Sequence, residues 1–422
     1  CALPIYMRAL PFACLRPNPD KAAGFASLPY DVFDRAEAAA YVAAHPGSFL
    51  AIDRPETAFT PDHDMYADDV YAAARQILEE RAADGTLMRD PNKCYYLYRL
   101  AQNGRSQTGI VAACALDDYM DGTIKRHELT RRDKEDDRVR HIQATGCQTG
   151  PIFLAYRDDP TLSFLVAAAK EAEPLYDFED AEGVRQTVWR IGRPEAVEAF
   201  KLMLARMPRA YIADGHHRAA SAARVCAQMR EEAGGGLTGD EPFNYLLCVL
   251  FPASELTVLP YNRVVADMGG LDAEELCRAV EKANFEVSEP LDEPVWPGKK
   301  GVFGMYAGGS WRRLTWLGDE KADADPVASL DASRLQDRVL GPVLGIGDPR
   351  CDPRISFVGG NAGPDELERR AGDAGVAFSL CATSVADLMG VADADLLMPP
   401  KSTWFEPKLR SGLFIRKIAD KK

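Results

Sequence analysis

The stretch from Arg209 to Glu232 constrains this chain more than any other. Arg209-Ala210-Tyr211-Ile212-Ala213 reads as a buried strand, and it runs straight into Asp214-Gly215-His216-His217-Arg218 and an alanine-rich helix closed by Gly234-Gly235-Gly236. Gly215 supplies either the backbone freedom of a tight turn or room for the close approach of a ligand. A helix start leaves free N–H groups and partial positive charge, which suit a phosphate. His216, His217 and Arg218 add side-chain donors at that place, and a guanidinium binds two oxygens of a phosphate or carboxylate at once. Ala219, Ala220, Ala222 and Ala223 let the helix lie close on its sheet. The physics is that of an anion cradle at a strand end. Asp214 beside it is either a simple N-cap or part of the chemistry.

A second polar cluster precedes it. Lys125-Arg126-His127-Glu128-Leu129-Thr130 is semi-extended, and Thr130 reads as the N-cap of a charged helix from Arg131 to Gln143, with Asp133 in the capping-box position. Arg131, Lys134, Arg138 and His141 recur at spacings that place them on one helix face, a stripe able to face polyphosphate. Against this, Asp133, Glu135, Asp136 and Asp137 are interleaved, as on a solvated face of ion pairs. Glu128 is a candidate general base or magnesium ligand, with His127 beside it. A third cluster, Lys401, Ser402, Thr403, Glu406 and Lys408, lies between prolines and aromatics and reads as substrate-binding residues or as a surface loop before a last strand. Asp31, after Leu28-Pro29-Tyr30, is a further substrate-binding candidate.

The remaining elements point to an α+β chain. A helix is predicted over 64–83, a hairpin over Tyr95–Leu116 with its turn at Asn103-Gly104, a strand at Pro151–Tyr156, and a helix at Pro194–Met207. Beyond about Thr257 hairpins and helices alternate: Val302–Tyr306 with Trp311–Leu317, Leu330–Leu340, Ile355–Val358 and Pro364–Ala371. With 422 residues, two or three domains are expected: a phosphate-binding core over 1–255 and an α+β domain over 256–422, whose segment 398–416 returns to the core. A net charge of −14 argues against a general nucleic-acid or anionic-membrane binder, so any anion must be held by a local cluster of donors. Ten cysteines without a C-x-x-C pair suit reduced, buried thiols rather than a zinc ribbon. No apolar run reaches the roughly 18 residues of a membrane span. The first fifteen residues, broken by two prolines and an arginine, do not read as a signal peptide. The expectation is a cytoplasmic protein.

With these residues laid out, Ile212-Ala213-Asp214-Gly215-His216-His217-Arg218 resembles the signature of a large bacterial domain-of-unknown-function family, number 1015. The likeness extends through Lys125-Arg126-His127-Glu128-x-Thr130, Lys134-Glu135-x-x-Arg138 and Met398 to Lys408, and so covers essentially the whole chain. The Asp214–Arg218 piece is also similar to the phosphate-binding motif of the ParB/sulfiredoxin superfamily, whose members bind ATP, ADP or CTP at such a helix start. By motif the nearest in chemistry is the free serine kinase. The resemblance implies a ParB/sulfiredoxin-like core that binds ATP or ADP with Mg2+. Nucleotide contacts would come from Gly215, His216, His217 and Arg218, assisted by Lys125, Thr130, Lys134 and Arg138. Asp214, Glu128 and His127 would be catalytic, with Glu128 also on the metal.

The leading expectation is a phosphotransferase moving a phosphoryl group between nucleotide and a small hydroxylated metabolite, with serine or phosphoserine first. A homodimer is left open. A nucleotide-switched (CTP- or ATP-binding) ParB-like protein without metabolic turnover is the alternative, and it predicts a basic nucleic-acid surface that the sequence lacks. A metal-dependent hydrolase using His127, Glu128, Asp214, His216 and His217 ranks last, because adjacent histidines at a helix start diverge by about 100°. The place of the sulfiredoxin-type cysteine is held by His216, which speaks against sulfinic-acid reduction.

Overall fold

Asn103 and Gly104 both take positive φ, 52° and 74°, as the sequence at this turn requires. They close a hairpin around which a nine-stranded mixed sheet is built. Its strands are β1 (Ala9–Leu10), β2 (Tyr95–Gln102), β3 (Arg105–Ala115), β4 (Ile124–Lys125), β5 (Ile152–Tyr156), β6 (Tyr176–Glu179), β7 (Arg185–Ile191), β8 (Ala210–Asp214) and β9 (Tyr245–Pro252). Their order is β4-β8-β5-β9-β3-β2-β7-β6, with β1 on β3. The pairs β4–β8 and β5–β9 are parallel; the other pairings are antiparallel. The computed structural model describes residues 6–318 and 325–419, so Cys1 lies outside the described residues.

Contacts divide the α+β chain into two units. Unit 1 comprises 1–126, 130–256 and 407–422; unit 2 comprises 127–129 and 257–406. In unit 1, helices α1 (Asp68–Ala83), α2 (Arg132–Thr145) and α3 (His216–Ala233) accompany the sheet. One core cluster joins Ile142 of α2, Ala219, Ala222 and Val225 of α3, and Leu154, Ile212 and Leu250 of the strands. Small residues on α3 permit that approach: Ala219 and Ala222 are buried while Arg224 pairs with Glu135 at 3.3 Å and Asp136 at 2.6 Å. Helix α2 starts one residue later than the sequence implied. Its N-cap is Arg131 without a side-chain cap, and the Thr130 hydroxyl donates to the Glu135 carboxylate instead. The Asp133 carboxylate, in the expected capping-box position, pairs with Arg131 at 2.8 Å.

Residues 407–418 are built into unit 1. Leu413, Phe414 and Ile415 are fully buried, and Arg410 donates to Asp180 at 2.8 Å and Glu182 at 3.0 Å. Ser411 and Ser27 exchange backbone hydrogen bonds of 2.9 and 3.2 Å.

Unit 2 carries a six-stranded antiparallel sheet of β10 (Tyr261–Val265), β11 (Phe285–Val287), β12 (Val302–Ala307), β13 (Ser310–Trp316), β14 (Ile355–Gly359) and β15 (Val376–Leu380), in the order β11-β13-β12-β15-β10-β14. The predicted helix over 330–340 is a short α-helix, Asp331–Leu335, that widens into a π turn, Gln336–Leu340. The described cysteines are free thiols and buried, except exposed Cys351 and partly exposed Cys381. No helix among the described residues is long and apolar enough to cross a membrane.

Candidate functional site in unit 1

Strand β8 ends on a register shift between Ile212 and Asp214, where its pairing with β5 slips by one residue. Such a bulge re-aims the side chain that follows it. The Asp214 Oδ1 accepts the backbone N–H of Gly215 at 2.8 Å, and its Oδ2 lies 3.6 Å from Arg218 and 3.5 Å from Lys408. Desolvation alone would raise the pKa of Asp214. Lys408 and Arg218 outweigh it and hold the carboxyl far below the ordinary carboxylate range.

Gly215 takes φ +94°, and a Cβ placed there would sit 3.1 Å from Arg218 Nε. Glycine is thus required twice, for the left-handed backbone and for space. A Gly215→Ala substitution is expected to cost about 1–2 kcal/mol from the backbone alone and to push the guanidinium aside. Thermal melting should report the first, and loss of anion binding the second.

Arg218 spans the turn. It donates to the Pro151 carbonyl as well as facing Asp214. His216 is buried at the start of α3. His217 Nε2 accepts the Arg131 backbone N–H at 3.0 Å, which makes Nδ1 the protonated nitrogen of the neutral ring. The donor that His217 retains is thus its Nδ1–H. Lys125 is buried on β4, in register with Tyr211 of β8.

The expected stripe on α2 divides. Arg138 and His141 are buried; Lys134 and Arg131 are exposed. Arg138 lies over the Tyr30 ring at 4.0 Å and pairs with Asp137 at 2.9 Å and, more loosely, Asp53 at 4.0 Å. Tyr30, Asp53, Arg138 and His141, with Thr149 and Arg218, line a cavity of about 30 Å3 behind the turn, room for one or two waters. Asp31 is exposed and does not line it, whereas its neighbour Tyr30 does.

In unit 2, His127 is buried and its carbonyl accepts the Met398 N–H at 2.7 Å; Glu128 is partly exposed. Lys401 takes φ +57° and its ammonium lies 5.5 Å from the Tyr261 ring centre. The Ser402 hydroxyl donates to the Pro399 carbonyl at 2.7 Å, and Glu406 accepts the Trp404 indole N–H at 2.8 Å. Thr403 is partly exposed.

Sequence reasoning passed over Asp53, Tyr30 and Thr149. The available signal was a carboxylate closing the apolar run Phe49-Leu50-Ala51-Ile52, where burial without a partner is costly.

The family described as "Protein of unknown function (DUF1015)" matches residues 9–333. The chain belongs to the DUF1015 family. No curated protein matches the sequence. Among solved structures, SbnI with C-terminal truncation from Staphylococcus aureus is 11% identical, covers 72% of this chain and 87% of its own, and has a TM-score of 0.38. A conserved hypothetical protein from Pyrococcus furiosus is 13% identical over 73% of this DUF1015 chain and 95% of its own, with a TM-score of 0.35. A free serine kinase in complex with AMP is 14% identical over 72% of this chain and 92% of its own, with a TM-score of 0.34. Likeness at this level assigns neither ligand nor reaction to the DUF1015 chain.

Proposed function

We propose that this protein is a nucleotide-dependent phosphotransferase that moves a phosphoryl group between ATP or ADP and a small hydroxylated metabolite, with serine or phosphoserine as the first candidate. The observation that carries the reading is the turn into α3: a glycine at φ +94° as the N-cap of a helix without a side-chain cap, flanked by the cations Arg218 and Lys408. Phosphoryl transfer asks the protein mainly for position and for positive charge spread over phosphate oxygens. The motif's similarity to the ParB/sulfiredoxin superfamily supports the same reading.

The roles divide by electrostatics. Asp214, held ionised between two cations, is too weak a base to take a hydroxyl proton near neutral pH. Its task is to orient Arg218 and Lys408. Glu128, with His127, keeps the base role that the likeness to the serine kinase gives it. A magnesium ion does not fit on Asp214, whose charge Lys408 and Arg218 already match. When bound, Mg2+ screens the charge of the nucleotide phosphates, and Glu128 is the carboxylate assigned to it.

Phosphorus NMR tests the reading. The protein, Mg2+, ATP or ADP, and serine or phosphoserine are mixed, with Gly215→Ala as control. New phosphoserine or ATP that is absent from the control supports it. Nucleotide binding without turnover for any small alcohol overturns it in favour of a nucleotide-switched protein.

A further inference from the structure

The cavity behind Arg218 is lined by polar groups that the reading above leaves without a task. Asp53 and His141 are each 1% exposed, yet each keeps an acceptor atom unused. Asp53 Oδ1 accepts the Thr149 hydroxyl at 2.9 Å, and no donor among the described residues bonds its Oδ2. His141 donates through Nε2 to the Ile52 carbonyl at 2.8 Å, so Nδ1 is its acceptor, and none of the described residues donates to it. Burial, then the charge of Arg138, lowers the His141 pKa and keeps the ring neutral. Two acceptors without donors in one enclosed space call for a donor from outside.

The charge of that donor follows from the walls. An anion would meet a carboxylate and an imidazole lone pair. A cation would meet Arg138 and Arg218, which also line the space. Arg138, Arg218 and Lys408 face Asp137, Asp53 and Asp214, three charges of each sign, so the surroundings are near balance. A neutral donor is favoured. Ile142, Ile152, Ala222 and Leu247 complete the lining and offer a carbon an apolar contact. A volume of about 30 Å3 admits the end of a molecule and not the whole of it.

We propose that this cavity receives the hydroxymethyl end of a small primary alcohol, whose single hydroxyl proton is shared between Asp53 Oδ2 and His141 Nδ1. The inference rests on the phosphotransferase reading only in naming this alcohol as the phosphoryl acceptor; the binding itself needs no nucleotide. Arg218 belongs both to the cavity wall and to the turn at α3, so the hydroxyl waits beside the place assigned to phosphate. In transfer the alcohol oxygen bonds to phosphorus, the bond to the leaving nucleotide oxygen breaks with its electron pair, and the hydroxyl proton passes to a base. Asp53 and His141 are assigned here to holding the hydroxyl.

The test is saturation-transfer NMR on the full chain with 1,2-ethanediol as probe, and ethylammonium and acetate as charged controls. Asp53→Asn and His141→Gln should each weaken ethanediol binding at least tenfold while leaving ADP binding within about twofold. Gly150→Ala gives a steric arm: its Cβ would lie 3.3 Å from Arg218 Cδ and 3.5 Å from Ser411 Oγ, narrowing the same space. Circular dichroism confirms that each variant is folded. Stronger binding of either charged control, or ethanediol signals that the three substitutions leave unchanged, overturns the proposal and leaves ordered water as the occupant. Ethanediol binding without any phosphoryl transfer keeps this site and removes the kinase reading. Transfer at an unaltered KM for the alcohol in folded Asp53→Asn does the reverse.

Discussion

A chain shortened after Glu406 is expected to leave its first unit unfolded. The deletion removes Leu413, Phe414 and Ile415, all without solvent exposure. At about 1.5–3 kcal/mol for each fully buried side chain the loss is roughly 4–9 kcal/mol, which rivals the whole stability of a typical domain, about 5–15 kcal/mol. Arg410 goes with them, leaving Asp180 and Glu182 without the guanidinium that joins them. Limited proteolysis should cut the shortened chain within the β-sheet of unit 1. A resistant unit 1 in the shortened chain would show that these residues decorate the core rather than complete it. The single substitution Lys408→Ala should leave the melting temperature nearly unchanged, because Lys408 is only partly buried and touches the surface of the turn.

The second large effect is at Asp214. Asp214→Ala is expected to lower turnover about a hundredfold, the usual cost of misplacing a reacting group by about 1 Å, without weakening ADP binding. Removing the carboxylate frees Arg218 and Lys408 from a competing anion while taking away what orients them. The split between kcat and KM separates this from a general loss of folding. A general base at Asp214 would behave differently. Because its folded pKa is depressed, the stabilisation it provides is present above the ordinary carboxylate range and is lost only as pH falls below about 3.8. An acid limb of activity between pH 5 and 8 therefore belongs to another group and should persist in the variant. Disappearance of that limb in Asp214→Ala would return Asp214 to the role of base.

Local rules made part of this molecule legible. Asn103-Gly104 named its hairpin, and Gly215 and Gly234 marked the two ends of α3 with positive φ. These signals survive because backbone sterics act over a few residues. The Leu330–Leu340 helix was legible as a helix and not as a π turn, since the apolar spacing does not distinguish the two closely. The site was half legible. Asp214, Gly215 and Arg218 are contiguous, but Lys408, which settles the charge of Asp214, comes from nearly two hundred positions away. The stripe on α2 misled for a related reason. Helical spacing places Arg131 and Lys134 beside Arg138 and His141, yet only the last two face protein, and only the fold decides which part of a polar face is covered. In Leu28-Pro29-Tyr30-Asp31 the charged residue drew the eye, while the buried aromatic ring under Arg138 is the one in the cavity.

Unit 1 is interrupted in sequence by nearly the whole of unit 2. During synthesis the amino-terminal part of a protein emerges first and domains tend to fold in that order. Here the unit whose strands emerge first waits for Leu413–Ile415 to be buried within it and is completed last. Unit 2 can mature while unit 1 is still open. A stalled or prematurely released nascent chain would thus carry the Asp214–Arg218 turn without Lys408 and without a finished core, and cellular proteases would meet it before it could bind a ligand. Activity in this arrangement is granted only to a polypeptide that has been translated past its own phosphate-binding turn, past the second unit, and back again.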